Sequence, residues 1–172
     1  MKYGMVTYLP VGTYLVSARS ARSEPPPRVL AFHDLAAQEP TFAGGAILAG
    51  TYVLTSATAY AGGTCTGTLS FPELAATYEF SGSAGSGTML SSDRLQKGSA
   101  TENKTGSGNY STSGSMLTVV DTCGEFEAAT SSFPYTATAT SFTYDSTLAP
   151  GGFIQRADGS FCGHLVLTFA KM

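Results

Sequence analysis

Tryptophan is absent from this chain of 172 residues, and there are only three cysteines and two histidines. The cysteines form no C-x2-C pair, and His33 and His164 stand far apart in sequence, so no zinc-ligand spacing is present. Charge is scarce as well. Charged residues make up 12% of the chain, about half the usual ~25%. The net charge is -3. Arg19, Arg22 and Arg28 stand near the N-terminus, and Lys97 and Lys104 flank one glycine-rich stretch. That is no basic patch of the kind that displaces counterions from phosphates, so a nucleic-acid partner is not expected. No apolar run approaches the ~18 residues of a transmembrane helix. The G-x-S-x-G serine elbow is missing. Gly106-Ser107-Gly108 opens no helix that could supply amide donors to a phosphate.

Hydroxyl groups occupy the place that charge leaves empty. Serine and threonine supply about a quarter of the chain, and hydrophobic residues make up 42%. Thr, Tyr, Phe and Val suit a pleated, half-buried surface, whereas helix-forming Lys and Glu are sparse. The composition predicts an all-β body with a neutral, hydroxyl-rich exterior, typical of secreted, periplasmic or cell-envelope proteins. The first 23 residues carry the outline of a signal peptide: Lys2, an apolar stretch, then small residues near Ser17-Ala18. Pro10 and Gly12 interrupt that stretch.

The chain divides near residue 43. Residues 1–43 read as a leader and Pro-rich linker, disordered or loosely helical. They hold Pro25-Pro26-Pro27, which stops helices, and a stretch at 28–38 with room for about three helical turns. Residues 44–172 read as one domain of short strands separated by turns. Strands are expected at 51–60, 73–81, 87–92, 109–113, 115–122, 133–139, 142–146, 152–157 and 160–171. The segment 97–108 is polar and glycine-rich and reads as a loop. In the second strand Leu74, Ala76, Tyr78 and Phe80 alternate with polar residues, the pattern of a half-buried strand. In the last, Phe161, Leu165, Leu167 and Phe169 share a face. Ser113-Gly114, Thr140-Ser141 and Asp158-Gly159 mark tight hairpins. Sequential hairpins without crossover helices argue against a parallel sheet. They predict an antiparallel up-and-down barrel of about eight strands, since closure removes exposed edges. A β-sandwich is the alternative.

GTYVLTS at 50–56, SGSMLTVVDTC at 113–123, PYTATATSFTY at 134–144 and the terminal LVLTFAKM resemble the lipocalin-like small β-barrels, bacterial extracytoplasmic or lipid-anchored proteins. The resemblance covers roughly residues 44–172. It implies that the first barrel strand plugs the barrel floor, with Gly50 and Tyr52 at the family's G-x-W positions. It also implies that Lys171 is the basic residue of the last strand.

Cys65, Cys123 and Cys162 allow one disulfide and one free thiol in an oxidising compartment. Cys65–Cys123 is the preferred pairing because each cysteine follows a strand at a loop edge. Three free thiols in a reducing compartment is the other reading. Cys162 and His164 share a strand face without an evident oxyanion hole. The acidic residues are dispersed, and Asp121 shares a face with Leu117 and Val119, so partial burial is expected there. No catalytic residue, metal or cofactor is expected, and the protein is read as a non-enzyme and a monomer. Tyr52, Tyr78, Phe80, Tyr110, Tyr135, Phe142, Tyr144, Leu165 and Leu167 are candidate lining of one interior. Two functions fit. One is a binding module for a small apolar or amphipathic ligand. The other is an envelope or surface interaction domain whose barrel is filled by its own side chains.

Overall fold

The computed structural model of the protein describes residues 31–33, 40–60, 73–97, 99–123, 129–146 and 164–172. Nine strands occur among them: β1 Ala31–His33, β2 Gly50–Tyr60, β3 Glu73–Ser83, β4 Ser86–Lys97, β5 Ala100–Ser113, β6 Met116–Cys123, β7 Thr130–Ala137, β8 Ser141–Asp145 and β9 His164–Lys171. Each strand from β2 to β9 pairs antiparallel with the next, and β9 returns to pair with β2. The eight strands therefore close into an up-and-down barrel, which leaves no open sheet edge in the ring.

Alternation sets the two faces. Leu74, Ala76, Tyr78 and Phe80 on β3 point inward and are buried, as the sequence predicts. Leu165, Leu167 and Phe169 on β9 do the same. On β2 the pairing with β9 slips between Leu54 and Ser56. The extra residue, Thr55, directs its hydroxyl to the Thr168 carbonyl at 3.0 Å. Such a bulge shifts the parity of the strand. Tyr52 and Leu54 before it and Ala57 after it can then all be buried in one core.

Three expectations are corrected. Residues 97–108 are not a loop, because β4 runs to Lys97 and β5 begins at Ala100, paired without interruption from Lys97↔Ala100 to Ser86↔Ser111. The ladder needs only backbone donors and acceptors. Polar residues and glycines on both faces hid it from a search for hydrophobic alternation. Residues 31–33 are strand rather than helix, and β1 pairs parallel to the end of β2 at Thr58, Ala59 and Tyr60. Pairing with β3 stops at Val53, so the far end of that edge of β2 has backbone groups to satisfy, and β1 takes them. The hairpins also turn at slightly different places. Ser113 pairs with Met116 around Gly114-Ser115, with Gly114 at φ 59°. The β7–β8 hairpin closes by the Thr138 amide donating to the Ser141 carbonyl at 2.9 Å. The expected strand at 152–157, Phe161 and most of the N-terminal leader lie outside the described residues.

Candidate functional site

All nine residues expected to line the interior lie in a single buried cluster, together with Ile47, Leu54, Leu74, Leu117, Val119, Phe133 and Phe169. Phe142 stands at its centre. Its ring lies 5.4 Å from Phe80, 5.4 Å from Tyr144, 6.0 Å from Phe169 and 6.2 Å from both Tyr52 and Tyr135. Tyr52 meets Phe80 edge-on at 5.5 Å, and Phe80 meets Tyr110 edge-on at 5.2 Å. These spacings are those that aromatic quadrupoles favour.

This aromatic end of the barrel is closed. The chain before β2 runs across it, with Ile47 fully buried. Gly44 donates its amide to the Tyr135 carbonyl and accepts from the Ala137 amide, both at 2.8 Å. Three inward tyrosines send their hydroxyls to backbone carbonyls at the same end: Tyr52 to Leu48 at 2.8 Å, Tyr110 to Ser83 at 2.8 Å and Tyr135 to Gly45 at 2.7 Å. Each ring thus fills the core while its oxygen stays satisfied. Tyr52 pairs in register with Lys171, and the Lys171 side chain lies over Gly50, where a Cβ would strike it.

The interior changes character along β4, β5 and β6. Residues directly opposite one another share a face, so register carries the inward direction from β3 onward. Tyr78 faces Ser91 and Ala76 faces Asp93. Ser91 faces Gly106, Asp93 faces Lys104 and Leu95 faces Glu102. Gly108 faces Asp121. This stretch is small and polar where the other end is aromatic. Ser91, Asp93, Lys104, Gly106 and Asp121 keep part of their surface exposed although they sit on the inner face. The sequence-level search missed Ser91, Asp93, Lys104 and Gly106, because their direction is set by pairing with β3 and not by any local pattern.

Tyr78 and Tyr144 mark the boundary between the two ends. Their hydroxyls meet at 2.7 Å within the core. Burial pushes both phenols well up from their ordinary range, and the Asp93 charge adds to the rise. One hydroxyl hydrogen closes this pair and the other remains to be donated. Asp93 Oδ1 is buried and has no hydrogen-bond partner among the described residues. Burial raises the Asp93 carboxyl to about 7, against the opposing pull of the Lys104 ammonium. Lys104 Nζ lies 3.3 Å from Glu102 Oε1. Asp121 is half-buried, and burial raises its carboxyl as well.

A family model described as a lipocalin-like domain matches residues 48–144, more than half of the chain. The chain belongs to the lipocalin-like domain family. The match opens two residues before β2 and ends in β8, so it takes in Tyr52, Phe80, Tyr110, Tyr135 and Phe142 and the polar stretch of β4 to β6. No curated protein and no solved structure matches the chain significantly. In this lipocalin-like barrel Tyr52 and Lys171 lie opposite each other on β2 and β9.

Among the described residues no group of three His, Cys, Asp or Glu side chains could hold a metal, and no helix is long and apolar enough to cross a membrane. Cys123 is exposed and free at the end of β6. Its expected partner Cys65, and Cys162, lie outside the described residues.

Proposed function

We propose that this lipocalin-like barrel is a non-enzymatic extracytoplasmic binding module that holds a small apolar or amphipathic ligand. The ligand enters through the mouth lined by β4, β5 and β6 and rests against Tyr78 and Tyr144. The observation that carries the reading is the set of inner-face residues, Ser91, Asp93, Lys104 and Gly106, that remain partly exposed beside a buried hydroxyl pair. An apolar wall with a few convergent polar groups is the usual make-up of a small-molecule site. The extracytoplasmic part rests on the charge-poor, hydroxyl-rich composition.

The dense packing around Phe142 favours a second reading, an envelope or surface interaction domain whose barrel is filled by its own side chains. Native mass spectrometry of protein purified from an oxidising compartment separates the two. Adduct mass that leaves on denaturation supports the carrier and gives the ligand's size. A bare mass, unchanged after incubation with long-chain amphiphiles, favours the filled barrel. Gly106→Leu sharpens the comparison. A Cβ at Gly106 meets only the rotatable Ser91 hydroxyl at 3.1 Å and the Cys123 carbonyl at 3.5 Å, so the variant is expected to fold, which its melting temperature checks, with its side chain on the inner face. Adduct present in the wild type and lost in Gly106→Leu locates the ligand there. The same spectra report a disulfide as a mass about two hydrogens below the reduced chain.

A further inference from the structure

On the polar side of the barrel the inner-face register of β4, β5 and β6 places carboxylates at Asp93, Glu102 and Asp121 and lysines at positions 97 and 104. Acid therefore outnumbers base on this wall. Asp93 lies two residues along β4 from Ser91, which faces Tyr78. Two residues of strand span about 7 Å, so the carboxyl stands roughly one head group above the tyrosine pair. An ionised carboxylate only accepts hydrogen bonds, and the buried Asp93 Oδ1 makes none among the described residues. Leaving such an atom unpaired is costly, and a ligand that donates to it removes that cost. Its neighbours on the inner face, Ala76 and Ser91, are short, and Gly106 opposite Ser91 carries no side chain.

Building on the carrier reading, we infer that the ligand is an amphipathic amine, with its protonated nitrogen on Asp93 Oδ1 and its apolar tail running down to Tyr78 and Tyr144. Glu102 and Asp121 offset Lys97 and Lys104, and Asp93 leaves the wall net negative, so a cationic head is favoured over an anionic one. A fatty-acid carboxylate in the same pose would set two acceptors against each other.

The test is calorimetric titration of the full chain with dodecylamine, 1-dodecanol and dodecanoate at about pH 8. Dodecylamine is expected to bind at least about tenfold more tightly than dodecanoate, the size of one charge-assisted hydrogen bond. Asp93→Asn is expected to abolish that preference while leaving 1-dodecanol within about threefold of its wild-type affinity. If Asp93→Asn does not fold, the wild type decides. Dodecylamine affinity should weaken as pH falls through about 7, where Asp93 takes up a proton, and 1-dodecanol affinity should not. Equal binding of amine and carboxylate, or tighter binding of the carboxylate, overturns the amine assignment and leaves the carrier reading standing. Failure of all three probes to bind overturns the carrier reading together with the inference.

Discussion

Tyr78 on β3 and Tyr144 on β8 reach toward each other through the barrel and join their hydroxyls at 2.7 Å. Register is what makes them meet. Tyr78 pairs with Tyr52, Tyr144 pairs with Leu167, and closure of β2 against β9 brings the two rings to a centroid distance of 6.1 Å. Tyr78 also stacks on Phe169 at 4.6 Å. The polar contact is thus flanked by aromatic surface within the core.

Tyr144→Phe is expected to lower stability by about 1–3 kcal/mol, the cost of leaving the Tyr78 hydroxyl buried without its partner. Tyr78→Phe should cost a similar amount. The double variant should lose little more than either single one, because the second change removes the orphaned group. Urea unfolding of the three variants checks this, and simple additivity would mean that the hydroxyls do not act as a pair.

Asp93 makes stability depend on pH with a definite sign. Its carboxyl is raised by burial from 3.8 to about 7 in the folded protein. Between these values the folded chain holds a proton that the unfolded chain has released. Stability therefore falls as pH rises from about 4 to about 7. Melting temperature measured across that window should decline in the wild type, and Asp93→Asn should flatten the slope. A wild-type curve that is flat or rising in this interval would refute the burial of Asp93.

Gly44 holds the floor of the barrel at φ 74°, a left-handed conformation that side chains disfavour. A Cβ there would collide with the Gly114 carbonyl in the β5–β6 turn. Gly44→Ala should cost about 1–3 kcal/mol and speed amide exchange at Gly44 and Ala137, whose hydrogen bonds tie the crossing segment to β7. Gly85→Ala is the control. Its Cβ would meet nothing nearer than the Thr112 hydroxyl at 3.5 Å, and its effect should stay within about 0.5 kcal/mol.

Much of the barrel was legible where apolar and polar residues alternate. β3 and β9 could be read strand by strand, because Leu74, Tyr78 and Phe80 or Leu165, Leu167 and Phe169 recur at every second position. The nine interior residues named from sequence are all in the core for the same reason. The first half of β5 could not be read, since its inner positions Glu102, Lys104, Gly106 and Gly108 are no more apolar than its outer ones. β1 was hidden too, because three residues carry no periodicity and their pairing depends on an edge that β3 vacates.

The sequence by itself determined an all-β chain with an aromatic interior and a hydroxyl-rich exterior, because strand periodicity and composition are local properties that each segment carries alone. Closure of β9 onto β2, the bulge at Thr55, and the meeting of Tyr78, Tyr144 and Asp93 were decided only by the tertiary structure. Those relations join residues far apart in the chain. Register and barrel geometry fix which of them face each other, and no window of sequence contains that information.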